Sequence, residues 1–126
     1  MPDDAVDTAR RIARAVRAGN RNAALRGFID YSDTLRRGVD LVELSSVEPP
    51  RTGSEGWDSA LAAVVDYWLG KAHVAVPSWA DDSSRFSTQA QTPHLGQYDL
   101  LPDLTNVPDE FLRRNILIER STLASI

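Results

Sequence analysis

The sequence predicts an all-α protein: a small helical bundle with a long irregular Pro-containing strap and a short C-terminal extended segment. Three observations predict it. Apolar residues recur at helical spacing through most of the first 73 residues. Between residues 74 and 107, Pro77, Pro93 and Pro102 interrupt the chain and neither a helical nor an alternating period persists. The whole chain has 126 residues, 42% hydrophobic and 25% charged, which is enough for one domain around one packed core. A single domain over residues 1–126 is therefore expected. Its parts are a helical hairpin and short helix (1–48), a central helix (52–73), the strap (74–107), and a short helix and tail (108–126).

The first helix is expected over residues 4–18. Ala5, Val6, Ala9, Ile12, Ala13 and Val16 share one face. Asp3, Asp4 and Asp7 suit the positive helix start, and Asp7 stands one turn before Arg10 and Arg11, a spacing for ion pairs. Gly19 and Asn20 supply a stop. A second helix over 22–37 carries Ala24, Leu25, Phe28, Ile29, Tyr31 and Leu35, ends on Arg36 and Arg37, and is stopped by Gly38. So short a turn lays the two side by side. Residues 39–46 add one or two turns before Pro49 and Pro50 end them.

The central helix begins with a capping-box pattern, Thr52 with Glu55 three residues on; Ser54 is the alternative cap. Trp57, Ala60, Leu61, Val64 and Trp68 form its stripe, widened by Val65 and Leu69, with Gly70 or the stretch near His73 as its end. The strap that follows carries Trp79, Phe86, Leu95, Tyr98, Leu100, Leu101 and Leu104, too apolar for a solvated linker. A structureless segment of this length in a small domain is usually functional or disordered, and its aromatics argue for order. Single helical turns are expected near 80–86 and 100–105. Asn106 then caps a last short helix that begins at Pro108, with Asp109 and Glu110 in its first turn and Phe111 and Leu112 as its apolar residues. Asn115 can take the left-handed conformation that ends it, Ile116, Leu117 and Ile118 run extended, and residues 121–126 close the chain.

Composition narrows the chemistry. There is no cysteine and there are two histidines. No apolar run reaches the ~20 residues that cross a bilayer, and the acidic start lacks the order of a signal peptide, so a cytoplasmic protein without membrane contact is expected. The net charge of −4 divides unevenly. Residues 1–38 hold eight arginines against five acids, about +3, and the remainder is about −7. Such a basic segment can reach nucleic acid or an acidic protein, or pack against its own acidic half.

Candidate sites were weighed against plain structural roles. His73 and His94 stand alone in sequence, without the convergent ligands a metal needs. Ser78, Ser83, Ser84 and Ser87 lie near them without the pattern of an activated nucleophile. Asp30 and Asp33 share a helix face at i, i+3, a weak signal for a divalent ion. No dinucleotide or phosphate-loop motif is present. The expectation is a non-enzyme with no metal and no cofactor. Arg10, Arg14, Arg17 and Arg21 would form a row about 16 Å long on one helix, suited to phosphates. Trp79, Phe86, Tyr98, Phe111, Arg113 and Arg114 are the expected partner contacts, since aromatics and arginine dominate binding hot spots. The alternative for the aromatics is that they seal the strap onto the core.

From residue 49 onward the chain resembles an actinobacterial antitoxin or regulator family. The residues that carry the likeness are Pro49-Pro50-Arg51-Thr52-Gly53, Trp57 to Ala63, Val76-Pro77-Ser78-Trp79, Arg85-Phe86, and Val107 to Ile118 running on to Leu123. Such domains often follow a helix-turn-helix and are encoded beside a nucleotidyltransferase-fold protein. No helix-turn-helix is evident ahead of residue 49, and Asn115 stands where the family would place glycine. The resemblance implies a protein-interaction module that binds and restrains a nucleotidyltransferase-like toxin. A DNA-associated transcriptional regulator using the arginine row is the other expectation, and a homo-oligomer is compatible with either.

Overall fold

A computed structural model describes residues 2–123; Met1 and the last three residues of the closing 121–126 stretch lie outside the described residues. Five α-helices follow in order: α1 (Ala5–Arg17), α2 (Arg21–Arg36), α3 (Leu41–Ser45), α4 (Glu55–Lys71) and α5 (Asp109–Leu112). Single 3-10 turns lie at Ser78–Asp81, Ser83–Arg85, Leu104–Asn106 and Arg120–Leu123. Among the described residues there is no β-strand, only an isolated parallel bridge between Gln91 and Ile116. The all-α class is as the periodicity predicts.

α1 and α2 pack together as a hairpin. Asp4 caps α1 by accepting from the Asp7 amide at 2.9 Å. Gly19 takes a left-handed φ of 67° and the Asn20 amide closes the expected stop by donating to the Ala15 carbonyl at 2.9 Å, while the Asn20 side chain also caps α2 by accepting from the Ala23 amide at 3.0 Å. Arg11 pairs across the hairpin with Asp30 at 2.9 Å rather than with Asp7.

α4 is the hub, packed against α1, α2, α5 and the 3-10 turns between 78 and 85. Its cap is Ser54, which accepts from the Trp57 amide at 3.2 Å. The expected Thr52–Glu55 box does not form, because both side chains have other partners. The Thr52 amide and hydroxyl each donate to Asp58 Oδ1 at 2.8 Å, and Glu55 accepts from Ser87 Oγ at 3.0 Å. The burial of α4 is also wider than its stripe. Ser59, Ala62 and Ala63 are as buried as Leu61 and Val64, since a second layer covers the side away from the hairpin. Small residues there let that layer approach closely: a Cβ on Gly56 would sit 3.0 Å from Pro93. Gly70 stays helical, and His73, left-handed at φ 57°, ends α4, with the Val74 amide bonded to the Leu69 carbonyl at 2.9 Å.

An aromatic cluster joins the layers. The Phe28 ring lies 5.3 Å from Trp57 and 6.4 Å edge-on from Phe111, which in turn lies 6.4 Å from Tyr67. The C-terminal turn folds back on α2: Ser32 Oγ donates to the Leu123 carbonyl and accepts from Trp68 Nε1 at 2.8 Å. Buried Tyr31 donates to the Leu44 carbonyl at 2.8 Å; burial first, and Asp4 second, push its phenol far above the ordinary value.

Candidate functional site

The strap divides into two parts with opposite physical character. Residues 78–93 lie on α4, held by two fully buried arginines. Arg85 donates to the carbonyls of Pro49 at 2.8 Å and Asp58 at 3.2 Å and reaches Glu48 at 3.3 Å, with its guanidinium 5.0 Å from the Trp79 ring. Arg114 donates to the carbonyls of Glu110 at 2.8 Å and Ala80 at 2.9 Å and to Asp66 at 2.9 Å, 4.5 Å from the Phe86 ring. Each ties a loop to α4 or α5 through backbone carbonyls and covers an aromatic face. Burial, helped by the neighbouring Arg51, pulls the Arg85 pKa below its usual value, against the pull of Glu48 and Asp58. Asn115, left-handed at φ 60°, adds a third tie by donating to the Ser87 carbonyl at 2.7 Å. Glycine would supply the same backbone without that bond.

This packing corrects three of the six expected contact residues. Trp79 is buried and donates through Nε1 to the Ser45 carbonyl at 2.7 Å. Phe111 sits in the aromatic cluster and Arg114 is wholly enclosed, so none of the three presents its side chain to a partner. Phe86 is half-buried under Arg114. Arg113 is exposed and pairs with Asp66. Only Tyr98 stands fully clear, at 91% exposure.

Tyr98 belongs to the strap's second part, residues 95–106, which projects from the body. Leu100, Leu101 and Leu104 stand beside it in sequence at 91%, 82% and 54% exposure. The expected turn near 100–105 forms only at Leu104–Asn106, which leaves Leu100 and Leu101 outside any helical turn. Two aspartate-closed turns bracket the segment. Gly96 donates to Asp99 Oδ2 at 2.7 Å while Asp99 donates back to the Gly96 carbonyl at 3.2 Å. Asp103 accepts from the Thr105 hydroxyl at 2.8 Å and amide at 3.0 Å, which holds its carboxyl below the usual range. The expected cap of α5, Asn106, is part of this turn; α5 starts after Pro108 with no side-chain cap. Four large apolar side chains are thus held out in seven residues. In sequence these leucines carry no signal that separates them from core residues, and the aromatics are the stronger hot-spot candidates.

The expected arginine row is also rearranged. Arg10, Arg14 and Arg17 lie along α1, but the helix ends at Arg17 and Arg21 opens α2, beside Gly96 and Asp99 of the strap. Arg51, from the loop before α4, takes the fourth place. Arg10, Arg14, Arg17 and Arg51 line one shallow depression with Ala13 and Pro50.

The two candidate aspartates have structural partners. Asp30 pairs with Arg11 and Asp33 with Arg36. Among the described residues no three His, Cys, Asp or Glu come together as a metal site. His73 is exposed at the end of α4. His94 is half-buried with Nδ1 unpartnered; burial pulls its pKa down against the opposing charges of Asp99 and Glu119. Ser84 bonds Asp82 and Arg51, Ser87 bonds Glu55, and no serine bonds either histidine among the described residues.

Compared with family models, curated proteins and solved structures, the chain matches none of them. Among the described residues, no helix is long and apolar enough to cross a membrane. The functional reading therefore rests on the surface itself.

Proposed function

We propose that this chain is a protein-interaction module whose projecting strap segment docks a protein partner. The supporting observation is the exposed run of Tyr98, Leu100, Leu101 and Leu104 between two closed turns. Each such side chain gains about 1.5–3 kcal/mol when fully buried, and a segment already shaped by turns loses less entropy on docking than a free one. Tyrosine is a frequent hot-spot residue, and Arg113 at the foot of α5 is an exposed charge for the rim.

The partner we propose is the nucleotidyltransferase-fold protein that the resemblance of residues 49–126 implies, restrained by occlusion as a toxin is by its antitoxin. Co-expression with the neighbouring gene's product, followed by size-exclusion chromatography, tests this. Co-elution of the two chains, lost when Leu100→Asp and Leu101→Asp are combined but kept with Val42→Asp on α3, is the expected result. Co-elution indifferent to the strap substitutions would remove the strap from the interface. If the unsubstituted chains never co-elute, the proposed partner is wrong.

A further inference from the structure

The arginine-lined depression points to a second ligand, on a surface distinct from the strap's exposed leucines. Arg10, Arg14 and Arg17 are exposed, and among the described residues none has an ion pair or side-chain hydrogen bond. Arg51 is tethered from outside, donating to Ser84 Oγ at 2.7 Å with Glu48 3.9 Å away. No carboxylate lines the depression, about 370 Å³ in volume. On a chain of net charge −4, three guanidinium groups without an ion pair, beside a fourth only loosely paired with Glu48, leave a positive face. Elsewhere the hairpin pairs Arg11 with Asp30 and Arg36 with Asp33, and other exposed arginines, Arg26 and Arg37 among them, stand outside the depression.

We propose that this face binds the phosphate backbone of duplex nucleic acid. Arginine's planar fork suits phosphate oxygens. The three α1 arginines span about 10 Å of helix, over which one strand of a duplex presents about three phosphates. The floor of Ala13 and Pro50 is small, so a backbone can approach closely. It offers no aromatic side chain on which single-stranded bases stack, which favours a duplex. It also has no large apolar centre of the kind protein interfaces bury.

Anisotropy of a short labelled DNA duplex, titrated with the full chain from about 50 to about 200 mM salt, tests the proposal. Four phosphate contacts predict a slope of about −3.6 in log K against log salt, hence an affinity loss on the order of 100-fold across that range. Arg14→Ala with Arg17→Ala should flatten the slope by about 1.8, and the matching pair of lysine substitutions should retain it. Arg26→Ala with Arg37→Ala, exposed arginines outside the depression, should leave it unchanged. All four positions are exposed, and matched circular-dichroism melts verify that the variants fold. A slope near zero, or one that ignores Arg14 and Arg17, overturns the proposal. Displacement of the duplex by polyglutamate at equal charge concentration also overturns it, by assigning the face to acidic polypeptide.

Discussion

The two parts of the strap, 78–93 and 95–106, come from one irregular segment, the first rich in serine and the second in leucine, yet it is the leucine-rich part that stays outside. The first part is fixed by enclosed arginines with aromatics under them, while its aspartates, Asp81 and Asp82, stay exposed. Arg85 and Arg114 are enclosed while Trp79 is packed against the body. The second part holds its apolar side chains outside, with aspartates spent on closing turns. The difference teaches that hydrophobicity alone does not decide which part of a strap is core. A loop is fixed where side chains can satisfy its stranded carbonyls, and the buried arginines do this for Pro49 and Ala80 while holding to the helix carbonyls of Asp58 and Glu110. Where no such donor reaches, even leucines stay exposed.

The largest effect that could break this comparison comes from the anchor. Arg114→Ala leaves Asp66 short of one partner and two carbonyls without theirs, and should cost about 3–5 kcal/mol in urea unfolding. Arg113→Ala removes the exposed partner of the same Asp66 and should cost under about 1 kcal/mol. Equal costs would mean that enclosure of Arg114 contributes nothing.

A smaller effect sits at the boundary between the parts. Burial holds the folded His94 imidazole below its ordinary value, so the unfolded chain takes up the proton first as pH falls. Stability from this group is complete above about pH 6.5 and declines as pH drops toward the folded value. His94→Gln should flatten the fall in melting temperature over that window. Unchanged slopes would show that the pull of Asp99 and Glu119 already offsets burial.

The smallest effect is expected in the projecting part. Leu100→Ser with Leu101→Ser should shift stability by no more than about 0.5 kcal/mol, the range of surface changes that touch nothing. A loss of several times that would place the leucines in the core after all.

The helices were legible in sequence because their signals are local. Periodicity gave α1, α2 and α4 to within a few residues, and the left-handed Asn115 was readable as an α5 stop. The anchors were not legible, because Arg85 and Arg114 acquire their partners from residues up to 37 and 48 positions away. A charged residue read locally belongs at the surface. The same limit explains the contact residues. Trp79 and Phe111 look like hot-spot candidates until α3 and the aromatic cluster close over them. Tyr98 looks no different in sequence and is left out in solvent. Likewise, extending α1 past Gly19 put Arg21 in a row it does not join, while Arg51, distant in sequence, completes the basic face.

Amide hydrogen exchange on the free chain tests the division of the strap most directly. The amides of Ser87 and Gln91, bonded to the Arg114 and Asn115 carbonyls, and of Leu117, bonded to the Gln91 carbonyl, should be protected close to the level of global unfolding. Those of Tyr98, Leu100 and Leu101, with no hydrogen-bond acceptor among the described residues, should exchange almost freely. Comparable protection across both sets would contradict the account, for the projecting leucines would then be part of the folded core.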